Sequence, residues 1–167
     1  QEAMTLVEEL SPLGVSFKVG MQLFYKEGMS FVQELRERNS RVFLDLKLHD
    51  IPNTVAQATR SLVSQGVDFF NVHATGGSAM MVGAAQAGIE TAKANNMPTP
   101  LIIAVTILTS MSQEVLAQEL QIHQTPEKVV CHLAKLAQHS GLSGVVCSAQ
   151  EASAIRNDCG SDFVLVT

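Results

Sequence analysis

The stretch Val42-Phe43-Leu44-Asp45-Leu46-Lys47-Leu48-His49-Asp50-Ile51-Pro52-Asn53-Thr54 begins as an apolar strand and turns ionic where a strand should end. Side chains in a strand alternate between faces, so Leu44, Leu46 and Leu48 are predicted to point one way and Asp45 and Lys47 the other. An acid and a base thus stand together on a face that should be hidden. Pro52 then precedes a helical pattern over 55–64, with Asn53 or Thr54 as its expected N-cap. The unit is a strand followed at once by a helix.

The same unit recurs on both sides. Apolar spacing over 3–11 marks a helix that Pro12 and Gly14 break, and Val15-Ser16-Phe17-Lys18-Val19-Gly20 reads as a short strand carrying one odd cation, Lys18. Residues 21–38 read as a helix interrupted near Gly28. Further on, 67–73 reads as a strand, 79–94 as a helix rich in small residues, and Leu101-Ile102-Ile103-Ala104-Val105-Thr106 as an almost wholly apolar strand. Helices follow over 113–120 and 126–140, the second with Thr125 as cap and Pro126 in its first position. A strand over 144–147, a helix over 149–157 and a strand over 163–166 complete the pattern.

Strands starting near 15, 41, 68, 101, 143 and 163, separated throughout by helices, predict an α/β protein with a parallel sheet. An open doubly wound sheet satisfies that pattern, but two observations favour a (β/α)8 TIM barrel with pieces absent. The chain opens in a helix with no strand before it, and it closes on a strand with no covering helix. A closed barrel has eight strands in about 250 residues, so residues 1–167 are expected to form a single partial barrel domain with about six of them.

Composition narrows the partners. The chain is 46% hydrophobic and 16% charged, enough to bury one sizeable core. Eleven Lys and Arg against sixteen Asp and Glu give a formal charge of −5, which argues against a nucleic-acid surface and asks any anionic ligand to find a local cationic pocket. Cys131, Cys147 and Cys159 are odd in number and lack C-x-x-C spacing, so neither disulfides nor zinc is expected and a reducing cytoplasm fits best. No apolar run reaches the roughly eighteen residues of a membrane span, and no membrane partner is expected.

Lys18, Asp45, Lys47, Asp50, His73, Thr106, Thr109 and Ser148 all fall at or just past the C-terminal ends of predicted strands, the edge where parallel α/β folds build their sites. Asp45 and Lys47 could be a structural ion pair without chemistry. Gathering Lys18, Asp45, Lys47 and Asp50 is costly for stability alone, however. The alternating set would keep a lysine ready to protonate a developing carbanion, and its carboxylates would repel a negative substrate group. His73 reads most simply as a hydrogen-bonded structural residue, and with His49 it lacks the spacing of a metal pair, so no metal site is inferred. Gly76-Gly77 reads as a turn more simply than as an anion site. Thr109 and Ser110 suit either a planar polar ligand or a helix cap.

Asp45-Leu46-Lys47-Leu48-His49-Asp50-Ile51-Pro52-Asn53-Thr54 resembles the D-x-K-x-x-D-I-x-x-T signature of the orotidine 5′-phosphate decarboxylase family. Phe17-Lys18-Val19-Gly20, Asn71-Val72-His73-Ala74 and Ala104-Val105-Thr106-Ile107-Leu108-Thr109-Ser110 resemble its bacterial members in the right order, and the resemblance covers essentially the whole chain. It implies a barrel that converts orotidine 5′-phosphate to UMP and CO2 in de novo pyrimidine biosynthesis, as a homodimer, with no metal or organic cofactor. By the same resemblance, Lys47 would give a proton to C6 of the pyrimidine, Asp45 would crowd the substrate carboxylate and Lys18 would complete the charge network near the ribose. Asp50, with Ile51 and Thr54, would reach into the partner's site, and Thr109 or Ser110 would contact the pyrimidine. Decarboxylation leaves negative charge on carbon, so a cationic acid and prearranged dipoles suit it.

The family's first strand is expected before Gln1 and its phosphate-binding loops after Thr167. Remote phosphate binding supports the chemistry at the base, so residues 1–167 alone are expected to have little or no activity. Two rivals stand beside this reading. One is a metal-dependent sugar-phosphate decarboxylase or aldolase of the same superfamily, against which Ile51-Pro52-Asn53-Thr54 argues; the other is a non-catalytic nucleotide-binding fragment.

Overall fold

The computed structural model describes residues 2–167. The elements run α1 (Glu2–Leu10), β1 (Ser16–Gly20), α2 (Met21–Glu27), α3 (Met29–Glu37), β2 (Arg41–Leu48), α4 (Pro52–Ser64), β3 (Phe69–His73), α5 (Gly77–Ala94), β4 (Leu101–Val105), α6 (Gln113–Gln118), α7 (Pro126–His139), β5 (Gly144–Val146), α8 (Ala152–Cys159) and β6 (Val164–Val166). Short 3-10 turns cover Ser11–Leu13 and Ala74–Gly76. The break expected near Gly28 is real: its φ of 72° separates α2 from α3.

All six strands are parallel, and their order in the sheet is their order in the chain. That order decides between the two architectures. Right-handed crossovers that always step in one direction leave every helix on the same side of the sheet, whereas a doubly wound sheet needs a reversal of strand order. The sheet therefore curls with its helices outside, as an incomplete TIM barrel.

Successive strand side chains go to opposite faces of the sheet. Val19, Val42, Leu44, Phe70, Val72, Ile102, Ala104 and Val145 belong to one apolar core with Leu35, Val55, Val63, Met80, Leu133 and Ile155 from the helices. Phe43, Phe69 and Ile103 take the opposite, concave face, where the Phe43 and Phe69 rings stack with centroids 4.2 Å apart. Leu46 and Leu48 pack against the helix-side core, as the alternation requires.

β2 is not regular, however. Leu44 pairs with Phe70 and Leu48 with Val72, so Asp45, Leu46 and Lys47 together oppose Asn71 alone. This is a β-bulge, and Lys47 within it takes a left-handed φ of 54°. The expected cap of α4 also needs correction. The helix starts at Pro52, whose fixed φ and missing N–H suit the first turn, and Ile51 precedes it with no side-chain cap. Asn53 and Thr54 already lie inside the helix. Thr125 takes the N-cap position before α7 but makes no side-chain cap bond, and α8 begins at Ala152 after a turn rather than near 149.

Candidate active site

Three neighbouring strands converge on one carboxylate. Asp45, 8% exposed, accepts Lys18 Nζ on Oδ2 at 2.9 Å and Lys47 Nζ on Oδ1 at 2.6 Å. The same Oδ1 accepts Asn71 Nδ2 at 2.7 Å, and Asn71 Oδ1 in turn accepts the backbone N–H of Lys47 at 2.7 Å. Burial pushes the Asp45 carboxyl up, but hydrogen bonds from Lys47, Asn71 and Lys18, with the Lys47 charge, outweigh it and bring the carboxyl down to about 2. Asp45 is therefore an anion at neutral pH. The two lysines differ in freedom: the Lys18 side chain is 57% exposed and the Lys47 side chain 28%.

A cleft of about 800 Å³ opens beside this network, lined by Lys18, Gly20, Asp45 and Lys47 and bounded by Met21 and Phe31. Local chemistry explains its floor. β1 ends at Gly20, beside which Lys18 Nζ lies, and strand alternation puts Asp45 and Lys47 on the same concave side.

The other candidate residues lie apart from the network. Asp50 is exposed, and its Oδ1 takes the Ile51 N–H at 2.7 Å; Ile51 is 66% exposed and Thr54 is exposed. These residues take no part in the hydrogen bonds of the Asp45 carboxylate and form an exposed polar-and-apolar ridge at the start of α4. Thr109 and Ser110 are exposed in a turn closed by the Met111 N–H on the Leu108 carbonyl, and they do not line the cleft. Thr106 is fully buried and donates from Oγ1 to the Val146 carbonyl at 3.1 Å, tying β4 to β5. Ser148 takes the Gln150 N–H on Oγ and gives its own N–H to Glu151, an arrangement that turns the chain into α8.

His73 is half-buried and stacks on His49 with ring centroids 5.3 Å apart. Its Nδ1 takes the Thr75 N–H at 3.4 Å and lies 2.7 Å from Thr75 Oγ1. Burial lowers its pKa, and the nearby His49 and Lys47 charges add to the effect. Among the described residues no three His, Cys, Asp or Glu side chains are grouped to hold a metal ion, and no helix is long and apolar enough to cross a membrane. The residue that reading the sequence missed is Asn71. Its one available signal was a polar side chain in the middle of an otherwise apolar strand, on the same face as Phe69 and His73.

Sheet order and the placement of the charged edge together put the protein among the TIM barrels, here an incomplete one. The chain belongs to the Orotidine 5'-phosphate decarboxylase / HUMPS family, whose model matches residues 1–167. It is 52% identical over 162 residues to an orotidine 5'-phosphate decarboxylase of Moorella thermoacetica, covering 97% of this chain and 64% of that protein. It is 53% identical over 150 residues to one from Bacillus cereus (strain AH820), covering 90% of this chain and 63% of that protein. The chain thus spans a little under two thirds of the length of these relatives. Among solved structures, an orotidine 5'-phosphate decarboxylase from Lactobacillus acidophilus superposes with a TM-score of 0.82 at 41% identity, covering 90% of this chain and 66% of that one. An uncharacterized conserved protein from Geobacillus kaustophilus superposes at 0.87 with 46% identity, covering 93% and 74%.

Proposed function

We propose that the protein is an orotidine 5′-phosphate decarboxylase, a carboxy-lyase that releases CO2 from orotidine 5′-phosphate to leave UMP in pyrimidine biosynthesis. The observation that carries the reading is the Asp45 carboxylate clamped between Lys18 and Lys47 beside an open cleft, in a chain whose relatives bear that name. A substrate carboxylate brought against Asp45 is repelled by it, and loss of CO2 relieves the repulsion. The C6–carboxyl bond breaks, its electron pair stays on C6, and the Lys47 ammonium gives the proton that forms C6–H. The Lys47 ammonium, held on the Asp45 carboxylate, already faces that charge as it develops. In this reading Lys18, Asp45, Lys47 and Asp50 are the catalytic set, and Ile51, Thr54 and one of Thr109 and Ser110 contact the nucleotide.

The exposure of Asp50, Ile51 and Thr54 supports a homodimer in which this ridge enters the partner's site. One chain's network holds two cations against one anion, and a second carboxylate from the partner balances it. Residues 1–167 are read as one partial barrel domain. Expressed on their own, they are expected to turn over the nucleotide far more slowly than the Moorella relative. The three free thiols support a reducing, cytoplasmic setting.

The test is to offer orotidine 5′-phosphate to the full-length protein with a metal chelator present and follow CO2 and UMP. Equal yields of both products, unaffected by the chelator, support the reading. Turnover that the chelator stops would favour the metal-dependent sugar-phosphate branch, and binding of UMP without any turnover would favour a nucleotide-binding role.

A further inference from the structure

Asn71 sits where the sheet departs from regularity. Between the paired positions Leu44/Phe70 and Leu48/Val72, three residues of β2 face this one residue of β3. An ordinary ladder would leave the surplus backbone N–H groups of the bulge without strand partners. Asn71 supplies one: its Oδ1 takes the Lys47 N–H at 2.7 Å. Lys47 also carries a φ of 54°, a region that residues with a side chain seldom occupy and that persists where the surroundings enforce it.

The other end of the same amide reaches the acid. Nδ2 donates to Asp45 Oδ1 at 2.7 Å, the oxygen that also receives Lys47 Nζ at 2.6 Å. Chemistry fixes the orientation of the amide, because only its oxygen can accept an N–H and only its nitrogen can donate to a carboxylate. Asn71 is fully buried, so no water competes for either bond. Asn71 points to the concave face, away from the core side chains of Phe70 and Val72, and an apolar residue of similar size there would leave the buried Lys47 N–H and Asp45 Oδ1 each short of a partner. The amide is explained by what it holds.

We infer that Asn71 is a positioning residue that locks the Lys47 backbone and the Asp45 carboxylate into one rigid unit, so that the Lys47 ammonium is aimed from a strained bulge. For its effect on turnover this rests on the decarboxylase reading; for its effect on geometry it does not. It touches no substrate and acts through Asp45 and Lys47. Misaiming a proton donor by an ångström or so costs about a hundredfold in rate, while nucleotide binding through the rest of the cleft persists.

Two variants and two readouts test the assignment in the full-length protein. Asn71→Ala is expected to lower kcat about a hundredfold and to change KM by less than about threefold. Asn71→Asp keeps the side-chain volume and guards against an alanine variant that does not fold. The introduced carboxyl is buried beside an anion, which raises its pKa. When protonated it donates to Asp45 and still accepts the Lys47 N–H; when ionised it repels Asp45. Its kcat relative to the unsubstituted protein is therefore expected to rise about tenfold or more from pH 8 to pH 5. A constant ratio across that range, or kcat within about threefold for Asn71→Ala, overturns the inference.

Amide hydrogen exchange at Lys47 reads the geometry without any substrate. It is expected to speed up about tenfold or more in Asn71→Ala while Val72 and Ile103 keep their protection; unchanged exchange at Lys47 overturns the inference. If the unsubstituted protein shows no turnover at all, the decarboxylase reading fails and the exchange measurement alone decides the role of Asn71.

Discussion

Replacing Asp45 by asparagine leaves the shape of the side chain and removes its charge. One of its two oxygens becomes an NH2 group, and all three of its partners are donors: Lys18, Lys47 and Asn71. The least costly choice turns the NH2 toward Lys18, whose side chain is 57% exposed and can swing into water. The pH dependence follows from linkage. The folded carboxyl lies at about 2 against an ordinary 3.8, a depressed value, so its stabilisation is complete above the unfolded value and is lost as pH falls through the folded one. The difference corresponds to roughly 2 to 3 kcal/mol at pH 7, of which about 1 kcal/mol is gone by pH 3. Urea unfolding of both proteins at pH 7, 5 and 3 measures it. The stability gap between the unsubstituted protein and Asp45→Asn should hold from pH 7 to 5 and shrink by about 1 kcal/mol at pH 3. A gap that stays flat or widens toward pH 3 would refute the claim that folding holds Asp45 as a clamped anion.

Other outcomes follow from the same geometry. Gly144 lies against Val164 across the β5–β6 pair, where an added Cβ would strike the Val164 carbonyl and Cβ; Gly144→Ala should cost about 2 to 3 kcal/mol in chemical denaturation, and a cost under about 0.5 kcal/mol would deny that close approach. Ile51→Arg should weaken self-association about tenfold or more in sedimentation equilibrium, since burying that side chain contributes about 1.5 to 3 kcal/mol, with little change in folding stability because Ile51 is 66% exposed. An unchanged dissociation constant would remove the α4 ridge from the proposed dimer interface.

The architecture was legible because burial and period coincide in short parallel strands. The runs opening near 15, 41, 68, 101, 143 and 163 became strands starting at Ser16, Arg41, Phe69, Leu101, Gly144 and Val164, and the central ones, β3 and β4, are buried on both faces. Sequence spacing also put Lys18, Asp45 and Lys47 on one edge, and all three meet at the Asp45 carboxylate. What escaped was set by pairing between strands. Nothing in Leu44-Asp45-Leu46-Lys47-Leu48 announces a bulge, because alternation survives within β2 while its register to β3 slips. Asn71 escaped for the same reason: its use depends on the backbone of Lys47, twenty-four positions away. The start of α4 was misplaced because Asn53 and Thr54 are good caps, whereas Pro52 fits the first turn without one.

Under the proposed function, Lys47 delivers the proton that completes decarboxylation. Turnover of orotidine 5′-phosphate by the full-length protein and by its Lys47→Ala variant, with chelator present and UMP affinity measured in parallel, tests it most directly. Turnover is expected to fall about a thousandfold in the variant while UMP binding weakens about tenfold or less. Equal turnover in the two proteins would contradict it.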